Sequence, residues 1–207
     1  MATRAGQEAK SIMASTGLLD GSSEKLALNQ IRANASETAL LNECAERLAK
    51  VNTLAESLDV AGMAVRQLTP ITTCGFYRYE PNSDALVCEL STGDPHHRLP
   101  GLTIRLGERV SGWAAANMRT SVNSDASLDL FQIAGEFSPP LRSTVAVPLA
   151  DGERLVGVLA GYSTREEAFN EAHRYTIERV AVFLTERLRV PSGKSRTVIS
   201  FPASNHS

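Results

Sequence analysis

Few side chains in this sequence are spaced so that they do chemistry unaided. Cys44, Cys74 and Cys88 lie far apart, so neither a disulfide scaffold nor a Cys-x-x-Cys metal site is written in them. His96 and His97 are adjacent, so their rings diverge and a chelate would need ligands from elsewhere; His173 and His206 stand alone. No Ser/His/Asp triad, glycine-rich phosphate loop or paired carboxylate is present. Arg142 is the best candidate for a polar ligand contact, because a guanidinium at a pocket edge grips a carboxylate or phosphate through two parallel bonds. The alternative is that Arg142 binds backbone carbonyls of the neighbouring loop. These residues argue against catalysis, and against a resident cofactor or metal.

The composition sets outer limits. In 207 residues, 21 basic and 23 acidic side chains nearly cancel to a net charge of −2, which draws the protein to neither nucleic acid nor an anionic membrane. No apolar run approaches 18 residues, and Met1–Glu8 followed by Lys10 lacks a signal-peptide core, so a cytoplasmic location is expected. A hydrophobic fraction of 43% suffices for one domain with appendages.

The elements that position these side chains follow from periodicity. Residues 1–35 are weakly patterned and read as a flexible lead-in, with Ser22 or Ser23 able to cap a short helix over Glu24–Ala33. From Ser36, a plausible N-cap, Leu41, Cys44, Leu48, Val51, Ala55 and Leu58 repeat at spacings of 3 and 4, a heptad-like seam. That seam packs either on the domain's own sheet or against a second copy. A second helix is predicted over Leu58–Leu68, stopped by Thr69-Pro70. Strands follow at Thr72–Tyr79 and Ala85–Leu90, joined by the turn residues Pro81–Asp84, and then a loop at Gly93–Gly101. Glu108–Met118 is predicted helical, and Asn123–Pro140 is a poorly patterned crossover anchored only by Leu128, Leu130, Phe131, Ile133 and Phe137. Asp151-Gly152 joins the apolar strands Thr144–Leu149 and Arg154–Tyr162, and a helix over Asn170–Val190 precedes the polar tail 191–207. The domain proper is thus residues 36–190. The fold class expected is α/β (α+β): an antiparallel central sheet with helices packed mainly on one face.

In this order, the blocks Gly-Leu-x-Ile-x-Leu-Gly (101–107), Ser-Gly-Trp-Ala-Ala-Ala (111–116), Ser-Val-Asn-Ser-Asp (121–125), Val-Ala-Val-Pro-Leu (145–149) and Val-Gly-Val-Leu-Ala (156–160) resemble the bacterial GAF family of sensory domains, related to PAS. The match runs from Ser57 to Arg189 and is similar to the GAF modules that precede diguanylate cyclase domains, although no such output domain follows here. The resemblance implies a cup floored by the sheet and walled by the 108–118 helix and the crossover, which acts as a lid. It places Cys74, Phe76, Cys88, Val145 and Val147 on the floor, with Trp113, Phe131, Phe137 and Arg142 on the rim. The plainer alternatives are that Trp113 is a buried structural plug, that Asp125 caps the crossover turn, and that Cys74 and Cys88 are ordinary core residues.

Relatives with special chemistry leave recognisable traces. Free-methionine-sulfoxide reductases of this fold carry thiols around the 107–145 region, and bilin carriers a lid cysteine; here no cysteine follows Cys88. Iron sensors need several convergent ligands, and Tyr77, Cys88, Asp94 and His96 are a thin set. Cyclic-nucleotide binders carry a dispersed Asn, Lys, Phe, Asp and Glu set; Asn123, Phe169 and Glu171 can be placed, but no lysine lies between Lys50 and Lys194. The expected function is a non-catalytic sensor that binds a small molecule under the lid and signals through its terminal helices as a homodimer, to a signalling-protein partner. A ligand-free dimerisation or protein-interaction module is the alternative.

Overall fold

The computed structural model describes residues 21–93 and 99–189. Its first helix, α1, runs unbroken from Gly21 to Leu48, so the start expected at Ser36 is instead mid-helix and residues 21–35 belong to α1 rather than to a flexible lead-in. Residues 1–20 and the tail 191–207 lie outside the described residues. The heptad-like seam is also corrected. α1 ends at Leu48, and α2 (Leu54–Leu68) begins anew behind Thr53. The Thr53 hydroxyl accepts from Glu56 N, and Glu56 Oε2 accepts from Thr53 N, each at 3.1 Å. This reciprocal box satisfies two orphan amides and outweighs the apolar spacing across it. Leu41, Cys44 and Leu48 are buried on α1, whereas Ala55 is exposed.

Six strands follow: β1 (Thr73–Glu80), β2 (Ala85–Thr92), β3 (Thr103–Arg105), β4 (Ser121–Asp125), β5 (Ser143–Asp151) and β6 (Arg154–Ser163). They form one antiparallel sheet in the order β3-β2-β1-β6-β5-β4. The apolar β6 is central and forms a hairpin with β5 through Gly152, whose φ of +63° suits glycine. The outermost strands β3 and β4 have only three and five residues, too short for the sequence pattern to announce them as strands. Among the described residues, no helix is long and apolar enough to cross a membrane.

The sheet separates two apolar layers. On one face, Cys74, Phe76, Val145, Val147, Leu149 and Leu159 pack against α1, α2 and the last helix α5 (Glu171–Arg189). On the other, Tyr77, Cys88, Ala146, Val158, Ala160 and Tyr162 lie beneath α3 (Arg109–Asn117), α4 (Ala126–Leu130) and a 3₁₀ turn (Phe131–Glu136). Cys74, Phe76, Val145 and Val147 therefore face the terminal helices, not the lid as expected. Period-2 alternation sorts a strand into two faces but does not say which helices cover which. Glycine lets backbones close up at two places: a Cβ at Gly112 would stand 2.2 Å from Arg105 O, and one at Gly157 would stand 2.2 Å from Tyr77 O.

Candidate functional site

The lid face of the sheet buries a cluster of polar groups. Tyr77 on β1 and Tyr162 on β6 are fully buried and their hydroxyls meet at 2.7 Å. Asp129, on α4 and 0% exposed, reaches the start of α3: its Oδ1 accepts from Val110 N at 2.9 Å and Ser111 N at 3.0 Å. Its Oδ2 accepts from the Ser111 hydroxyl and, at 3.4 Å, from the Tyr162 hydroxyl. A carboxylate at a helix N-terminus satisfies orphan amides and meets the positive end of the dipole. The cluster thus joins the lid, α3 and two central strands.

Its electrostatics follow from burial. Desolvation pushes the Asp129 carboxyl above its ordinary range, against the Ser111, Val110 and Tyr162 donors that pull it down. Desolvation also pushes both tyrosine hydroxyls well above the usual phenol range. The thiols of Cys88 and Cys74 are pushed up to about 12 in the same way, and that of Cys44 to about 11, so all three are held as neutral thiols. A carboxyl whose pKa is higher in the folded than in the unfolded state contributes stability below its ordinary pKa, and loses it as pH rises through the raised value. Wild type should therefore lose stability relative to Asp129→Asn as pH is raised from the acid side of the carboxylate range toward neutrality. Urea denaturation at a series of pH values checks this, and parallel curves for the two proteins would count against it.

Thr144, on β5 beside Tyr162, adds a further group. It is 0% exposed, and its hydroxyl is the one buried side-chain polar atom among the described residues without a hydrogen-bond partner. It shares strand parity with Ala146, which puts it on the lid face.

The sequence-selected residues are dispersed by the structure. Cys88 and Phe137 lie in the lid-side layer, whereas Phe76 is on the opposite face of the sheet. Trp113 is 44% exposed on α3, so it is not a buried plug. Phe131 is 65% exposed, with the Arg109 guanidinium 5.2 Å from its ring centroid. Arg142 is half exposed, stands 3.8 Å from Glu166 and lines an open cleft of about 240 Å³ with Asn123, Asp125, Ser143 and Glu167, away from the buried cluster. Asp125 caps α4 by accepting from Ser127 N at 2.8 Å. Asn123 clamps the segment before α5: its Nδ2 donates to Phe169 O at 2.7 Å, and its Oδ1 accepts from Phe169 N at 2.8 Å. Among the described residues no group of three His, Cys, Asp or Glu side chains is placed to hold a metal, and His96, His97 and Asp94 lie outside those residues. Sequence reasoning passed over Asp129, Ser111, Thr144 and Tyr162. The available signal was one carboxylate inside the crossover's most apolar run, Leu128-Asp129-Leu130-Phe131.

The element order and the antiparallel sheet with its helices agree with the comparisons to known proteins. A family model described as GAF domain matches residues 34–185. The chain belongs to the GAF domain family. That family is in general sensory or ligand-binding, and no curated protein matches this GAF domain. It is similar to the free methionine-R-sulfoxide reductase of Neisseria meningitidis in complex with its substrate (24% identity, 75% of this chain and 89% of that one, TM-score 0.60). It is also similar to the GAF domain of an Acinetobacter phosphoenolpyruvate-protein phosphotransferase (16% identity, 74% and 92%, TM-score 0.61). A third similar structure is the chromophore-binding domain of an unusual bacteriophytochrome from R. palustris (12% identity, 76% and 61%, TM-score 0.60). At these identities the likeness shows the fold alone. The first of them corrects the expectation that this chain is not an enzyme: a reductase stands on this fold at 24% identity, so the argument from cysteine placement does not exclude catalysis.

Proposed function

We propose that this GAF domain binds a small molecule between the sheet and the lid and passes the bound state to its terminal helices within a homodimer. The observation that carries the reading is the unpaired Thr144 hydroxyl, buried on the lid face beside Tyr162. Buried polar groups almost always have partners, and a ligand atom is a natural partner for one that has none in the protein. Tyr77, Tyr162, Ser111 and Asp129 would supply directional contacts in an otherwise apolar surround that includes Cys88 and Phe137, the usual make-up of a small-molecule site.

Transmission has a physical route. The lid continues from β4, and Asn123 on β4 holds both backbone groups of Phe169, just before α5. Phe169 is itself 4% exposed in the layer with the terminal helices. A ligand shifts this arrangement only by preferring one state of the lid. The dimer reading rests on apolar side chains left open on those helices: Tyr175 and Val182, seven residues apart on α5, are 57% and 55% exposed, and Leu26 on α1 is 70% exposed. A ligand-free interaction module is favoured by one observation, the direct Tyr77–Tyr162 hydroxyl contact, which closes part of the cluster on itself.

Thr144→Val separates the two readings. It removes the hydroxyl at nearly constant volume, so stability should hold or rise by up to about 1–3 kcal/mol, because no hydrogen bond is broken and the cost of burying an unpaired hydroxyl is relieved. Native mass spectrometry of wild type is expected to show a co-purifying small molecule, and its occupancy should fall at least tenfold in Thr144→Val. Unchanged retention would remove Thr144 from the site and the main support for ligand binding here.

A further inference from the structure

The lid's polar attachment is concentrated on one residue. Besides the four contacts made by its carboxyl group, Asp129 offers its backbone carbonyl to Arg109 Nη1 at 3.0 Å. The same guanidinium lies over Phe131, so both arms of the lid around Asp129 meet the first turn of α3. Beyond this contact the lid is short and is held by the apolar packing of Ala126, Leu130 and Phe137, which are buried in the layer beneath. α4 has five residues and the 3₁₀ turn six, and Leu128 and Phe131 are 54% and 65% exposed. Its two ends are fixed to each other and to the sheet: Ala126 N donates to Arg142 O at 3.3 Å, and Arg142 N donates to Ser163 O at 2.7 Å.

The backbone on both sides of the contact is strained. Arg109 has φ of +53° and Phe131 has φ of +33°, a region that residues with a Cβ seldom adopt. Such a conformation persists only where surrounding contacts hold it, and here Asp129 and Arg109 supply contacts of that kind beside the Phe131 N–H bond to Ser127 O. Releasing the carboxylate would relax both residues. What it would uncover is the layer beneath: Leu130, Phe137 and Leu141 of the lid region over Tyr77 and Tyr162.

We propose that Asp129 is a latch: the lid stays closed while its carboxylate is seated on the first turn of α3, and it swings from its fixed ends, Ala126 and Arg142, when that seat is lost. The latch controls access to the lid face of the sheet, a role that rests on the ligand-binding reading above. The closing itself is a property of the ligand-free protein.

The test is amide hydrogen exchange on the ligand-free full chain, comparing wild type with Asp129→Ala, and with Met63→Ala, a half-exposed position on α2, as a variant that leaves the seat intact. In Asp129→Ala, exchange at Val110, Ser111 and residues 126–137 is expected to rise at least tenfold, with β1, β6 and α5 within twofold of wild type. Met63→Ala should match wild type at Val110, Ser111 and residues 126–137. If Asp129→Ala does not fold, Ser111→Ala, which removes a single hydroxyl from the seat, is read in its place, with a rise of severalfold confined to the same residues. Exchange at Val110 and Ser111 within twofold of wild type would overturn the latch. A rise spread evenly over β1, β6 and α5 would overturn it too, by making Asp129 a general support of the fold. Because no ligand takes part, failure here leaves the Thr144 result standing, and the reverse also holds.

Discussion

Phe76→Ala is expected to lower the stability of the domain by about 3–5 kcal/mol, as truncation of a large buried aromatic does. For a chain of this size that is a fall in melting temperature of roughly 6–20 °C. Phe76 is 2% exposed and sits in the layer formed with α1, α2 and α5, so removing its ring leaves a void under the terminal helices. It also borders an open groove of about 390 Å³ lined by Leu54, Val156 and Leu188, and water entering from there would favour the lower end of the range. Trp113→Ala, made in parallel, should cost less than about 1 kcal/mol, because the indole is 44% exposed. The pair, measured by thermal melts and urea titration, discriminates sharply between the observed faces and those expected from the motif order. A large loss at Trp113 with a small one at Phe76 would reverse the assignment of the two layers.

Gly157→Val should prevent folding altogether. Gly157 lies on β6 opposite Arg78 of β1, in the central pair of the sheet. A Cβ there would approach Tyr77 O to 2.2 Å, and 3.2 Å from Tyr77 C, so the obstacle is the neighbouring backbone and not the tip of a side chain. β1 cannot withdraw, because it is bonded to β2 on its other side. Separation of β1 from β6 would also part Tyr77 from Tyr162 and dismantle the polar cluster. Gly135→Ala provides the contrast: nothing lies within 4 Å of its would-be Cβ, and stability should move by no more than about 0.5 kcal/mol. Far-UV circular dichroism and soluble yield read both variants; a folded Gly157→Val protein with native stability would show that the central pair is looser than these distances allow.

The fold was legible wherever a periodic pattern met strong local chemistry. Thr69-Pro70 stops α2, Asp151-Gly152 turns the β5–β6 hairpin, and the apolar face of Ile177, Val180, Ala181 and Leu184 marks α5. It was misread where two local signals competed. The spacing from Leu41 to Leu58 suggested one seam, yet Thr53 and Glu56 form a capping box within it and start a new helix. The lid face was harder still. Its key residue, Asp129, works through amides of Val110 and Ser111 brought close by the crossover, and no spacing in the sequence encodes that approach. Arg142 attracted attention by its chemistry alone, and the structure leaves it half exposed beside Glu166. The judgement on catalysis erred for a different reason: it rested on thiol placement and on the lack of a triad, phosphate loop or carboxylate pair, although the fold is shared with a sulfoxide reductase.

Native mass spectrometry of the purified, unmodified protein is the most direct measurement, because it reports subunit number and bound small molecules in one spectrum. The expected result is a dimer carrying a small molecule of fixed mass that is shed on mild activation and is absent from the Thr144→Val spectrum. A bare monomer, or a dimer whose adduct is the same in both proteins, would contradict a ligand chamber under the lid linked to the terminal helices.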